Sequence, residues 1–279
     1  MKTILIPVDF SATCENVLQY AAALSRPVQA GRIILLKSYY VSLYAQLLPS
    51  ADFVQLSADN ITEERSGHEE QLTILSKNLL QQCSPDVQID VALSEEPLLR
   101  AIREVIDSEK PDLLLLGTDA QNADEESYIS QQAVVIAKTS QVPVLVIPAG
   151  VQHQPLKNVL VPVDFSATSR LSLVQYLEKL QFASDPELWI LNVDPQQKYI
   201  NHEEENTAAL KTALESYNYK VYYSDDKDTV RGILNFAAQN DVQLIVALPG
   251  KHSFFYNLTH SSITEALAIN ADKPVLVLK

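Results

Sequence analysis

Two aspartates, Asp9 and Asp164, are the residues of this chain that most clearly suggest chemistry. Each follows a short apolar run, and each is followed directly by Phe-Ser. A carboxylate at the carboxyl end of a buried strand can face a ligand, because ligands bind at that edge of open α/β sheets. The same Asp-x-Ser arrangement can instead cap the helix that follows. The sequence leaves both interpretations open, and they do not exclude one another.

Other reactive residue types are sparse and form no catalytic pattern. The two cysteines, Cys14 and Cys83, are isolated, and the five histidines lack the spacing of a metal site. No nucleophile–base pair, phosphate-loop lysine motif or HxGH-type signature is present. We therefore expect no metal ion and no enzyme activity. Isolated thiols of this kind indicate a reducing cytoplasm.

The segment that contains each aspartate occurs twice. Lys2–Thr13 returns as Lys157–Thr168, 155 positions later. Near the end of each copy the offset falls to 131, because Pro143–Ile147 returns as Pro274–Leu278. The difference is an insertion of 24 residues in the first copy. A repeat of this length is a domain, so we predict domain 1 at residues 1–150 and domain 2 at residues 151–279.

Each domain alternates short, continuous apolar runs with segments of helical periodicity. This alternation predicts an α/β fold with a parallel, doubly wound sheet of order 3-2-1-4-5 whose faces are both covered. The predicted strands are Thr3–Val8, Arg32–Ser38, Val87–Leu93, Leu113–Gly117 and Val144–Ile147, and then Asn158–Val163, Leu188–Val193, Lys220–Tyr223, Leu244–Leu248 and Val275–Leu278. Ligands are expected at the carboxyl ends of the first and fourth strands, where the strand order reverses.

The net charge of the chain, −14, limits its partners. An acidic surface repels polyphosphate backbones, so we expect no nucleic-acid binding. No apolar run reaches the roughly 20 residues that cross a bilayer, and the first strand begins almost at once, so we expect neither a membrane partner nor a signal peptide.

Pro-Val-Asp-Phe-Ser after the first strand, a final Pro-Val-Leu-Val strand and the long repeat resemble the universal stress protein family. The resemblance spans the whole chain as two tandem domains and implies an adenine nucleotide alpha hydrolase-like fold. It also implies that the final strands pair across a dimer, here within one chain as a pseudo-dimer. Pairing would cover two apolar edge strands that are otherwise exposed.

The family's ATP-binding members place adenine near the first-strand Asp and hold phosphates with G-x2-G-x9-G-[ST] after the fourth strand. This chain departs from that pattern. The four motif positions of domain 1 hold Gly117, Ala120, Ser130 and Gln131; those of domain 2 hold Leu248, Lys251, Ser261 and Ser262.

Local charge separates the two domains further. The domain 1 loop contains four carboxylates, Asp119, Asp124, Glu125 and Glu126, which oppose triphosphate binding. Domain 2 has a lysine and two histidines around its Ser-Ser pair, which could hold an anion at a helix N-terminus. If a nucleotide binds this chain, the resemblance thus implies ATP or AMP at domain 2. The binding positions it implies there are Asp164, Val193, Lys251, Ser261 and Ser262, whereas Asp9 and Gly117 of domain 1 would be vestigial.

Three functions remain open from the sequence. The degenerate loops favour a non-catalytic stress-response scaffold or regulator that binds a protein partner the sequence does not name. An adenine-nucleotide sensor that uses domain 2 alone is the first alternative, and a slow ATPase is the second. A homodimer of the whole chain also stays open.

The 24-residue insertion carries apolar residues at helical spacing from Tyr39 to Pro49. They are too apolar for a solvated loop, so we predict an ordered element over the crevice or at an oligomer interface. The alternative is a longer second helix packed on its own domain.

Overall fold

The computed structural model describes residues 2–39, 58–119, 127–163, 185–196, 214–215, 217–247 and 263–279. The strands are β1 (Lys2–Pro7), β2 (Ala30–Ser38), β3 (Gln88–Ser94), β4 (Leu113–Thr118), β5 (Val144–Pro148), β6 (Asn158–Pro162), β7 (Glu187–Val193), β8 (Tyr219–Ser224), β9 (Leu244–Ala247) and β10 (Val275–Val277). The helices are α1 (Ala12–Ser25), α2 (Ala58–Leu80), α3 (Leu98–Glu109), α4 (Tyr128–Thr139), α5 (Thr229–Gln239) and α6 (Ile263–Asn270). Every predicted strand is present within one or two residues of its predicted bounds.

The strands of the described residues form one continuous sheet of order β3-β2-β1-β4-β5-β10-β9-β6-β7-β8. Each half therefore has the predicted order 3-2-1-4-5, and its strands pair in parallel. The halves meet through the antiparallel pair β5–β10, in which Leu276 lies opposite Leu145. The predicted pseudo-dimer is confirmed, with the refinement that the two sheets merge into one.

Both faces of the sheet are buried, which explains why its strands are continuous apolar runs. Side chains alternate along β1. Ile4 and Ile6 pack in one core cluster with α1 and α2, while Leu5 packs in the other cluster with α3 and α4. Residues at the strand ends follow the same alternation. Their position in the strand therefore determines which helix each side chain contacts.

The second helix of domain 1, α2, lies in the segment that contains the insertion. α2 has 23 residues, and its Leu72 and Leu79 are buried against the sheet of their own domain. Packing of α2 on its own domain is what the alternative predicts, whereas the length of this helix relative to its domain 2 counterpart stays a prediction. The apolar segment predicted as a short helix lies outside the described residues, apart from Tyr39.

Lys279 joins the two domains beyond the strand pair. Its ammonium group donates to the carbonyl oxygens of Ala137 (2.5 Å) and Lys138 (3.3 Å) at the carboxyl end of α4. A cation is favourable at this end of a helix because unpaired carbonyl groups give it partial negative charge. Burial lowers the pKa of Lys279, as expected for an ammonium group enclosed between domains.

Lys279→Met should therefore lower the free energy of unfolding by about 1–2 kcal/mol, because the aliphatic stem is kept while the charged hydrogen bonds are lost. Urea unfolding followed by circular dichroism measures the change. Lys227→Met, at an exposed lysine before α5, is the control and should have little effect. Equal loss in both variants would contradict the inter-domain role.

Candidate functional site

The crevice of domain 1 lies where the carboxyl ends of the neighbouring strands β1 and β4 meet. Asp9 follows β1, and Asp119 follows β4. The N-terminus of α4 is directed at the same place, since Ser127 and Ile129 donate hydrogen bonds to these two carboxylates. The structure thus brings the strand ends named by the sequence together with a helix terminus.

Asp9 is bonded on both of its carboxylate oxygens. Oδ1 accepts from the backbone N–H of Ser11 (3.1 Å) and from its hydroxyl (2.6 Å). Oδ2 accepts from the hydroxyl of Ser127 and from the backbone N–H of Ile129 (3.2 Å). Ser11 Oγ in turn accepts from the N–H of Cys14 (3.1 Å) and caps α1. In domain 1 the capping interpretation of Asp-x-Ser therefore describes the structure.

The pKa of Asp9 lies below its ordinary value. Burial acts to raise the pKa, but hydrogen bonds from the side chains of Ser11 and Ser127 and from the backbone N–H groups of Ser11 and Ile129 outweigh burial. Asp9 is therefore a fixed anion that holds β1, α1 and α4 together.

Asp119 makes a second set of bonds in the same crevice. Its Oδ1 accepts from the hydroxyl of Thr13 in α1, and its Oδ2 accepts from the backbone N–H of Ser127 (3.2 Å). Its own N–H donates to Ser130 Oγ (2.7 Å). From the sequence we predicted a single role for Asp119, in which its charge repels a phosphate group. In the structure the residue is a connector between α1 and α4.

Ser127 caps α4 and contacts both carboxylates. Its Oγ donates to Asp9 and accepts from the N–H of Ser130 (3.2 Å), while its N–H donates to Asp119. The residue is only 5% exposed. The α4 terminus that could hold an external anion already holds two carboxylates of the chain itself.

Lys37, at the end of β2, contacts the residue that follows Asp9. Its ammonium group is 5.1 Å from the centroid of the Phe10 ring, a cation–π distance. Burial lowers the pKa of Lys37, and the charge of Asp9 partly offsets that effect. The Phe10 ring also stacks on His68 of α2.

Domain 2 is described only in part around its own crevice. Val193 lies at the end of β7 and is buried. Beside it, Asn192 is 1% exposed, and its Nδ2 donates to the carbonyl of Val163 (2.8 Å). Among the described residues, Asn192 Oδ1 has no hydrogen-bond partner. The other predicted positions of this domain, Asp164, Lys251, Ser261 and Ser262, lie outside the described residues.

The described residues offer neither a metal site nor a membrane span. They contain no group of three or more His, Cys, Asp or Glu side chains that could hold a metal ion. None of the helices within them is long and apolar enough to cross a bilayer.

The sequence model of the universal stress protein family matches residues 1–148 and again residues 155–279. The chain belongs to the universal stress protein family. No curated protein matches the chain in sequence.

Solved structures support the fold of this family member. A universal stress protein from Archaeoglobus fulgidus DSM 4304 aligns with a TM-score of 0.67 and 18% identity, over 100% of this chain and 96% of that one. A functionally unknown protein from Pseudomonas aeruginosa PAO1 aligns at 0.59 and 15% identity, over 100% and 92%. The cytoplasmic domain of a prokaryotic cation chloride cotransporter aligns at 0.53 and 13%, over 99% and 94%. At these identities the likeness concerns the fold alone.

Gly117, the one position of domain 1 that fits the phosphate motif of the universal stress protein family, has a packing role. A Cβ there would lie 2.4 Å from Thr13 Cγ2 and 3.0 Å from Val17 Cγ2. The absence of a side chain therefore lets α1 approach β4 closely. The same approach brings the Thr13 hydroxyl to Asp119.

Gly117→Ala should lower the free energy of unfolding by about 2–3 kcal/mol, because the new methyl group overlaps α1. Thr13→Ser in the same chain should restore part of this loss, since it removes the clashing methyl group and keeps the hydroxyl. A double-mutant cycle by urea unfolding measures the coupling. If the two effects on stability were additive, the Thr13 methyl group would not be the cause of the destabilisation by Gly117→Ala.

Proposed function

We propose that this universal stress protein is a non-catalytic scaffold or regulator of the stress response. Its location in the cytoplasm is part of the same proposal. The free cysteines Cys14 and Cys83 support that location, since unpaired thiols suit a reducing compartment.

One observation carries the proposal. In the crevice of domain 1, both carboxylates and the helix terminus are bonded to one another. A general base must be within reach of a substrate proton, and a phosphate needs free donors. The carboxylate oxygens of Asp9 and Asp119 already accept hydrogen bonds from groups of the chain itself. The hydroxyl and N–H of Ser127 already donate to these carboxylates.

Two candidate nucleophiles near the crevice, Ser127 and Cys14, support the same proposal. Ser127 is buried, and its hydroxyl is bonded on both sides. Burial raises the pKa of the Cys14 thiol to about 11, so the reactive thiolate is scarce at neutral pH. Neither side chain is suited to attack a phosphoryl or acyl group.

The test is phosphate release from ATP by the purified chain in the presence of Mg²⁺. We expect a rate equal to that of the solution without protein. Release that rises in proportion to protein concentration, and that a substitution in either crevice abolishes, would contradict the proposal. Asp164→Asn and Asp119→Asn are the two substitutions to compare.

A second function is favoured by one feature of domain 2. Asn192 Oδ1 is a buried acceptor that lacks a partner among the described residues, and it lies beside Val193. Buried polar atoms are bonded in nearly all cases, so a free acceptor suits a ligand that carries a donor group. The equivalent residue of domain 1 is Lys37, which has no acceptor atom. An adenine-nucleotide sensor that uses domain 2 alone is therefore the alternative proposal.

A further inference from the structure

The linker between the domains, residues 149–157 between β5 and β6, starts in a tight turn. The N–H of Val151 donates to the carbonyl oxygen of Pro148 (3.2 Å), which closes the turn. Gly150, at the third position of this turn, has a φ of 75°, and a positive φ at that position favours glycine. The first half of the linker therefore has a defined backbone, although inter-domain linkers are typically exposed segments that make few contacts.

One face of α1 receives this turn and the residues that follow it. The side-chain nitrogen of Asn16 donates to the carbonyl oxygens of Pro148 and Val151, at 3.3 Å each. Tyr20 lies one helical turn further along α1 and therefore on the same face. Its ring meets the ring of His153 edge-on, with 5.2 Å between the centroids and 77° between the planes. The linker is thus docked on α1 at two positions, the Asn16 amide and the Tyr20 ring.

His153 is the member of this contact that can change its charge near neutral pH. Burial lowers the pKa of His153, so the docked position favours the neutral imidazole. Burial also raises the pKa of Tyr20 to about 12. The phenol next to His153 therefore carries no negative charge that could stabilise an imidazolium.

Charged groups on the linker and on α1 do not compensate a proton on His153 either. The other titratable residue of the linker, Lys157, is exposed and positive. The one charged residue of α1, Glu15, is exposed and lies about 140° around the helix from Tyr20. Within the described part of the chain, burial is the cause of the lowered pKa and no carboxylate opposes it. An imidazolium in the docked linker is therefore an uncompensated, partly buried charge.

We propose that the linker is a proton-sensitive latch. With a neutral His153 it stays docked on α1, and protonation of His153 releases it, because the imidazolium is fully hydrated only in the released state. Release opens the contact with Tyr20 and frees the Asn16 amide, so this face of α1 becomes accessible in acid. The contacts of the latch do not involve Asp9 or Asp119, so it acts separately from the crevice and from the proposed function.

The direction of the pH dependence follows from the lowered pKa. The released linker binds a proton near the ordinary histidine value of 6.5, whereas the docked linker binds one only at lower pH. The stability of the docked state is therefore fully present above pH 6.5 and is lost as the pH falls from there towards the docked pKa.

The experiment combines an NMR titration of the His153 ring with amide hydrogen exchange at about pH 7.5 and about pH 5.5, on either side of the ordinary histidine pKa. The ring should titrate below 6.5. The N–H of Val151 is bonded within the docked turn, so its exchange relative to the intrinsic rate reports release. Its protection should fall about twofold or more at the lower pH, while the amides of β1 and β4 keep theirs.

His153→Phe is the matched variant, because it keeps a ring against Tyr20 and cannot be protonated. Its Val151 protection should be the same at both pH values. Adding Gln154→His to this variant returns an imidazole to an exposed linker position, and the double variant should behave like His153→Phe alone. If His153→Phe does not fold, His153→Gln takes its place, and the titration of the parent chain needs no variant.

Any one of three results would overturn the latch. The first is an ordinary or raised pKa of His153 in the folded chain, since a cation–π contact with Tyr20 would then favour the docked imidazolium. The second is an equal loss of Val151 protection in acid in the parent chain and in the variant that lacks His153. The third is a loss in acid that Gln154→His restores, because the position of His153 on Tyr20 would then not be required.

Discussion

Asp9→Ala should lower the free energy of unfolding by about 3 kcal/mol or more, because it leaves four partly buried donors without an acceptor and removes the support of a helix cap. The carboxylate accepts from the N–H and hydroxyl of Ser11, the hydroxyl of Ser127 and the N–H of Ile129. These groups belong to the starts of α1 and α4, which converge on the end of β1. One substitution therefore loosens three elements of the same core.

Asp112→Ala is the matched control for this measurement. Asp112 also accepts a backbone hydrogen bond at a strand end, from the N–H of Thr3 (2.7 Å), but in an exposed position. Its replacement should cost about 1 kcal/mol or less, since water can satisfy the freed N–H group. Urea unfolding of both variants gives the comparison. If Asp9→Ala were no less stable than Asp112→Ala, the bonds at Asp9 would not hold the helix starts in place.

The dependence on pH follows from the same bonds. The pKa of Asp9 is lower in the folded chain than its ordinary value of 3.8. A carboxyl group with a lowered folded pKa contributes stability that is fully present above the unfolded pKa and is lost as the pH falls through the folded pKa. We expect the parent chain to lose stability below about pH 3.8, and Asp9→Asn to lose less over that range.

The fold could be predicted from the sequence almost completely, for physical reasons. Strands buried on both faces must be continuous apolar runs, and the repeat showed each run twice. The pairing of β5 with β10 followed from the need to cover two apolar edges. The second helix was harder to predict from the sequence, because α2 is largely polar and only a few of its apolar residues, among them Leu72 and Leu79, are buried.

The site was predictable only where it is local in sequence. Asp9 and Ser11 are two positions apart, so capping could be proposed from the chain alone. Thr13 and Asp119 are 106 positions apart, and Asp9 and Ser127 are 118 apart, so nothing local in the sequence joins them. A glycine at position 117 was the one sign of this contact in the sequence. The resemblance to phosphate-binding relatives assigned that glycine a different role, whereas the structure shows that it lets α1 approach β4.

Most of the proposed binding positions of domain 2 stay predictions. The sequence places Lys251, Ser261 and Ser262 where family members hold phosphate, and Asp164 where they place adenine. The described residues of this crevice contribute Val193 and Asn192. Asn192 Oδ1 is a buried acceptor with no partner among the described residues, in contrast to the carboxylates of domain 1, whose oxygen atoms are bonded within the chain.

If a nucleotide binds this chain, we expect it to bind domain 2 and not domain 1. In domain 1 an incoming phosphate would meet the charges of Asp9 and Asp119 at a helix terminus whose donors are already used. One uncompensated carboxylate about 4 Å away costs on the order of 4 kcal/mol at a surface-like dielectric, which weakens a micromolar site to the millimolar range. The corresponding loop of domain 2 carries Lys251, His252 and His260 in its sequence and no run of carboxylates.

Calorimetric titration with AMP and ATP measures this difference. Asp164→Asn should weaken binding at least about tenfold, the loss expected when one charged hydrogen bond to a ligand is removed. Asp9→Asn and Asp119→Asn should leave binding unchanged, provided that circular dichroism shows them folded; asparagine is preferred at position 9 because alanine strands the donors of α1 and α4. Loss of binding through Asp9→Asn alone would place the nucleotide in domain 1 and contradict the comparison. Absence of binding to the parent chain at millimolar nucleotide would remove the sensor alternative, because a sensor must bind its ligand at the concentrations it reports, and a scaffold has no such requirement.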